Sequence, residues 1–197
     1  SFIAKQNMNN KVILKTHNVS GILNTTNFPN EHFTYKAIYL VRDPRDVLLS
    51  WAEHRGKTLE QTQKDMFNPQ FNLINKHKSS YSTEFLSSWD NHVNGWLRSN
   101  TETLFVKYED LLDQTGEYIT KILDFLKIEP VCSLDEIVDS TRFDVLKAQE
   151  NTAGFREKAQ GESFFRKGVK NAWRDIDWDF SDIEKKFAPV MEQFGYQ

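Results

Sequence analysis

Residues 35–52, YKAIYLVRDPRDVLLSWA, constrain the fold more than any other stretch. The first half, residues 37–41, is a short apolar run rich in β-branched and aromatic side chains, the composition of a parallel strand buried on both faces. Charge then appears within one residue. Asp43 suits a helix N-cap, and Pro44 suits the first turn, where its missing N–H would have been unpaired anyway. Asp46 adds negative charge near the positive end of the helix dipole. Val47, Leu48, Leu49, Trp51 and Ala52 continue as a largely buried helix, so the chain runs strand, tight turn, helix. In an open α/β sheet, ligands gather beyond the carboxyl ends of the strands, where helix N-termini offer N–H groups to anions. Arg42 lies at that end, and Ser50 falls about two turns along the helix on the face of the cap, so the pair can hold a phosphate. The same residues equally suit an ion pair from Arg42 to Asp43 or Asp46 and a Ser50 hydroxyl satisfied by its own helix.

At 197 residues, 39% hydrophobic and 27% charged, the chain suits one domain with a sizeable core. A net charge of −3 creates no global field for nucleic acid or an anionic membrane, so any anion site has to be local. The single cysteine, Cys132, excludes an intrachain disulfide and a multi-cysteine zinc site. No apolar run approaches the roughly 18 residues of a membrane span. Residues 1–10 lack the apolar core of a secretory signal, so the cytoplasm is the expected location.

Residues 11–16, KVILKT, read as a second buried strand that delivers Lys15, Thr16 and His17 to the crevice Arg42 faces. Residues 18–33 have the composition of an irregular loop. Residues 54–82 are polar and broken by Gly56 and Pro69, which predicts a lid or binding loop. Residues 84–97 predict an amphipathic helix whose two tryptophans, Trp89 and Trp96, belong to the core. Residues 103–107, TLFVK, predict a third strand, and residues 111–127 a helix interrupted near Gly116. Residues 135–149 predict another helix with Thr141, Arg142 and Phe143 in its middle, and a capping box at 181–184 opens the last one. Strands alternate with helices, the pattern of a parallel sheet covered on both faces. Residues 151–168 form a long basic loop ending in Arg166, Lys167 and Gly168: a planar fork, a point charge and a backbone free of a side chain, which together suit either a phosphate or an ordinary solvated turn.

Four pieces now stand in one order: KTH after a strand, RDPRDVLLS at a strand-to-helix turn, FVKYEDLL after a strand, and FFRKG in a late loop. This set resembles the sulfotransferase family that uses 3′-phosphoadenosine 5′-phosphosulfate (PAPS), over nearly the whole chain. The resemblance implies a three-layer α/β/α fold with a central parallel sheet, of the P-loop NTPase-like sulfotransferase type, with residues 1–197 a single sulfotransferase domain. It also implies transfer of a sulfuryl group from PAPS to an acceptor hydroxyl or amine, leaving 3′,5′-ADP. Arg42 and Ser50 match the pair that binds the 3′-phosphate, and Arg166, Lys167 and Gly168 match the loop that closes over it. Tyr108 is similar to the tyrosine near the adenine. Thr141 and Phe143 sit at adenine-contact positions, with Arg142 replacing the small residue usual between them. His17 matches the general base and Lys15 the lysine that assists at the transferring group. No metal is implied.

One departure is large. The family opens with a strand, a Lys/Ser/Gly/Thr-rich loop and a helix that cradle the 5′-phosphosulfate, and no segment before Lys11 or after it fits that unit. Upstream residues are therefore expected, with activity depending on them. Two other functions stay open: a catalytically inactive 3′,5′-ADP-binding relative, and another nucleotide-dependent group-transfer enzyme such as a small-molecule kinase. The acceptor, a small molecule or carbohydrate, is expected to draw its pocket from residues 18–33, 54–82 and 145–165. The sequence sets no oligomeric state.

Overall fold

The computed structural model describes residues 12–23, 26–77, 80–154, 165 and 168–197. Arg166 and Lys167 lie outside the described residues, as does most of the 151–168 loop. In chain order the elements are strands β1 (Gly21–Leu23), β2 (Thr26–Phe28) and β3 (Ala37–Val41), helices α1 (Pro44–Arg55) and α2 (Leu59–Phe67), strands β4 (Asn72–His77) and β5 (Ser80–Phe85), helix α3 (Trp89–Leu97), strand β6 (Thr103–Lys107), and helices α4 (Tyr108–Asp113), α5 (Thr115–Leu126), α6 (Leu134–Ser140), α7 (Phe143–Ala153) and α8 (Ser181–Gln193); a 3₁₀ turn, Ala172–Asp175, precedes α8.

β3 and β6 pair in parallel, residue for residue from Ala37↔Thr103 to Val41↔Lys107. Both strands pass straight into helices, so two helix N-termini stand side by side at the carboxyl edge of the pair. Of the expected strand at 11–16, Lys11 lies outside the described residues and residues 12–16 form no strand. Residues 12–16 carry no ladder, and Val12, Ile13 and Leu14 are 73%, 57% and 83% exposed. An apolar run becomes a strand only where a neighbour takes its backbone groups, and the parallel sheet has two strands among the described residues. Nor is β3 buried on both faces: Val41 is buried while Leu40 is 56% exposed.

α1 begins as expected. Asp43 accepts from the Arg45 backbone N–H at 2.9 Å, Pro44 takes the first position, and Gly56 ends the helix with φ of 60°. Residues 54–82 are corrected from an irregular loop to a helix and a hairpin. Thr58 and Gln61 form a reciprocal capping box at the start of α2, whose buried residues are only Thr62 and Met66, too few to show as a periodic apolar stripe. β4 and β5 form an antiparallel hairpin, and β1 and β2 a shorter one within the expected 18–33 loop. α3 starts at Trp89 because β5 claims residues up to Phe85. The 111–127 helix is two helices parted at Gln114, and the 135–149 helix is two parted at Thr141 and Arg142. The box at 181–184 does not form: Asp179 Oδ1 accepts from the Ser181 N–H instead, which leaves Glu184 for another partner.

The core joins these pieces around α8. Ile183, Phe187, Val190 and Met191 are buried among Val41, Leu48, Met66 and Val93, and the Phe187 ring meets Phe67 edge-on at 5.3 Å and Trp89 at 5.1 Å. Trp89 and Trp96 are core residues, as their spacing predicts.

Candidate active site

The register of β3 and β6 sets the first half of the site. Because Val41 is opposite Lys107, the next residues, Arg42 and Tyr108, emerge together, and the Arg42 guanidinium lies 4.5 Å from the centre of the Tyr108 ring. Arg42 Nη2 donates to the Val169 carbonyl at 3.0 Å and stands 3.6 Å from Asp46 Oδ2. The ion pair considered from sequence is thus present, yet it does not use up the guanidinium: Arg42 Nε is buried with no hydrogen-bond partner among the described residues. A buried charged donor without an acceptor is costly unless an anion completes it. The residues present therefore fit a phosphate group.

Asp46 does more than meet the helix dipole. It is buried and accepts from the backbone N–H groups of Asn171 at 2.7 Å and Trp173 at 3.1 Å, which ties the segment after Gly168 onto α1. Lys170 pairs with Asp113 at the end of α4, a second tie. Gly168 has φ of 58°, and a Cβ there would stand 2.3 Å from the Phe143 ring. Arg42, Tyr108, Phe143 and Gly168 are accordingly gathered at one edge by β3, β6, α7 and the tied segment. Phe165 extends the group, edge-on to Phe143 at 6.3 Å and donating its N–H to buried Glu150 at 2.9 Å.

The Thr141 hydroxyl donates to the Ile137 and Val138 carbonyls, closing α6, and Arg142 pairs with Asp144. Ser50 is half-buried on α1.

Sequence reasoning missed the brace beneath Arg42. Arg45 is 2% exposed; its Nη2 and Nε donate to Asp43, Nη1 donates to Glu184 at 2.7 Å, Nη2 also donates to the backbone oxygen of Gln197 at 2.9 Å, and the guanidinium stacks 3.7 Å over Trp173. Glu109, directly after Tyr108, accepts from the Asp43 N–H at 3.2 Å and from the Tyr196 hydroxyl at 2.9 Å. Burial and then the Glu109 charge push the Tyr196 phenol well above its ordinary value. A legible signal was the RDPRD pattern itself, which places two arginines and two aspartates where the helix is buried.

The residues just after KTH, Asn18 and Val19, are held against α3 and β5. The Val19 N–H donates to the Phe85 carbonyl at 2.7 Å, Asn18 Oδ1 accepts from the Phe85 N–H at 2.8 Å, and Trp96 Nε1 donates to the Asn18 carbonyl at 3.1 Å. A Cβ at Gly95 would lie 2.5 Å from the Ser20 carbonyl, so glycine permits this close approach. The side chains of Lys15 and His17 are exposed. The His17 carbonyl meets His92 Nε2 at 3.1 Å, and His92 Nδ1 meets the Tyr39 hydroxyl at 2.8 Å. Burial lowers the His92 pKa. Beside this segment is an open cavity of about 310 Å³ lined by Val19, Phe71 and Phe85 with Ser20, Asn91 and Arg98 at its polar margins. It draws on two of the three stretches expected for the acceptor, plus α3.

The description of a sulfotransferase domain matches residues 2–192. Rat sulfotransferase 2A2 is 34% identical over 149 residues, covering 71% of this chain and 50% of the relative. The chain thus spans about half the length of the curated relatives it matches. Among solved structures, mouse sulfotransferase SULT7A1 complexed with PAP superposes with a TM-score of 0.63 at 21% identity, over 82% of this chain and 59% of that one. Retinol dehydratase in complex with androsterone and the inactive cofactor PAP superposes with a TM-score of 0.54 at 26% identity, over 80% and 46%. These proteins share the α/β fold described above. With nearly its whole length matched, the chain belongs to the sulfotransferase family.

Proposed function

We propose that the protein transfers a sulfuryl group from PAPS to the hydroxyl of a hydrophobic alcohol. The observation that carries this reading is the buried Arg42 Nε, which has no hydrogen-bond partner among the described residues, while the guanidinium lies over Tyr108 and Nη2 holds the Val169 carbonyl next to Gly168. Arg42, with Ser50, Arg166 and Lys167, binds the 3′-phosphate of the nucleotide, and Tyr108, Phe143 and Thr141 flank its adenine. When bound, PAPS supplies the activated sulfuryl group. His17 takes the proton that the acceptor hydroxyl loses, since a ring nitrogen of a neutral imidazole can act as general base. Lys15 places positive charge where negative charge grows on the leaving side. Residues 1–197 belong to one sulfotransferase domain. The Val19, Phe71 and Phe85 side chains in the cavity lining support an acceptor with a hydrophobic part, as does the androsterone held by retinol dehydratase.

Calorimetric titration with 3′,5′-ADP and 5′-AMP tests the nucleotide site. The expected result is a preference for 3′,5′-ADP that Arg42→Ala lowers about 10- to 100-fold, the value of losing charge-assisted hydrogen bonds. Equal binding of both nucleotides by the unaltered protein would overturn the reading.

A further inference from the structure

We propose that His92 is a positioning residue for the transfer reaction: its Nε2–H fixes the backbone carbonyl of His17 and so sets the aim of the His17 imidazole. The inference rests on the reading above, in which His17 takes the acceptor proton.

The sense of the hydrogen bonds follows from chemistry. A carbonyl oxygen only accepts, so the 3.1 Å contact between His92 Nε2 and the His17 oxygen places a proton on Nε2. Desolvation lowers the His92 pKa, which favours the neutral ring, and Nδ1 then carries a lone pair that accepts from the Tyr39 hydroxyl at 2.8 Å. Tyr39 is fixed in turn: it lies in β3 opposite Phe105, with ring centres 5.2 Å apart, and its ring also packs on His92 at 5.6 Å. The imidazole is therefore a rigid spacer between the parallel sheet and the backbone of residue 17.

That connection matters because of what lies on either side of it. Residues 18–20 are pinned by Phe85, Trp96 and the close approach at Gly95. Residues 12–16 are exposed and carry no ladder. His17 stands at the junction with its side chain in solvent, so packing does not set its direction and the backbone has to. A partner that orients a reacting group is worth about 10- to 100-fold in related settings.

Two shortened or reshaped side chains separate the parts of this role in the whole protein. His92→Asn offers an acceptor near the Nδ1 position but is too short to reach the His17 carbonyl. His92→Gln places an amide N–H near the Nε2 position and reaches it. With labelled PAPS as donor and 4-nitrophenol and a 3β-hydroxysteroid as probe acceptors, His92→Asn is expected to lower kcat about 10- to 100-fold with 3′,5′-ADP affinity unchanged, and His92→Gln to restore most of it. Equal kcat loss in both variants, or a loss confined to KM or thermal stability, overturns the positioning role. His17→Ala runs in parallel. If it turns over like the unaltered protein, His17 is not the base and the role of His92 falls with it; if it is inactive while His92→Asn is unimpaired, only the proposal for His92 falls. Histidine-selective nitrogen NMR at neutral pH needs no turnover: a His92 ring carrying its proton on Nε2 alone supports the proposal, and a ring protonated on Nδ1 overturns it.

Discussion

Gly168 shows how one residue fits the cluster around Phe143. Its φ of 58° is in the left-handed region, and the space a Cβ would need is held by the Phe143 ring. Gly168→Ala therefore adds about 1–2 kcal/mol of backbone strain to a steric conflict with an aromatic that itself flanks the site. Weakening of 3′,5′-ADP binding by about tenfold or more, measured by calorimetry, is the expected outcome; unchanged affinity would mean that the backbone at 168 is free to move away from Phe143. Arg42 illustrates the other side of residue-scale reasoning. From sequence it suited an ion pair or a phosphate ligand, and the structure has it doing the first with Nη2 while leaving Nε buried with no hydrogen-bond partner among the described residues.

Between elements, Arg45 is the fastener. It joins the start of α1 to α8 through Glu184 and to the 3₁₀ turn through Trp173. Arg45→Ala leaves Asp43, itself 2% exposed, as a buried carboxylate without its partner, at a cost of about 3–5 kcal/mol. Urea denaturation measures this, and a loss of only about 1 kcal/mol, the scale of an exposed pair, would mean that water replaces the guanidinium. The legibility of the elements follows from the same physics. β3, α1, β6 and the apolar face of α8 were readable because each has a dense apolar run or a strong cap. α2 and the β4–β5 hairpin were not, since α2 buries only Thr62 and Met66 and the hairpin strands NLINKH and SYSTEF are mostly polar. The 11–16 run failed in the opposite sense: its apolar residues satisfy a strand pattern, but a pattern does not supply a neighbouring strand. At the candidate site, Arg42 and Gly168 stood out in the sequence because their residue types are distinctive there, whereas supports such as Glu109, Tyr196 and His92 come from distant parts of the chain and could not be read.

For the molecule as a whole, two buried phenols set the response to alkali. Burial raises the Tyr39 pKa, and burial followed by the Glu109 charge raises that of Tyr196, both from an ordinary 10.0. A group whose folded pKa is raised contributes stability that is complete below its unfolded pKa and is lost as pH climbs toward the folded value. The melting temperature is therefore expected to hold to about pH 10 and to fall steeply above it, and Tyr39→Phe combined with Tyr196→Phe is expected to flatten the decline in calorimetric scans; an equally steep decline in the double variant would assign it to other groups. The clamp on Arg45 has a consequence in the time dimension as well. Its Glu184 partner lies 139 residues further along the chain, and at cellular synthesis speeds that interval lasts roughly 7 to 30 s. Throughout it, a growing polypeptide already carries the complete RDPRD turn but lacks its tie to α8. The tie between the start of α1 and α8 is therefore a late product of translation.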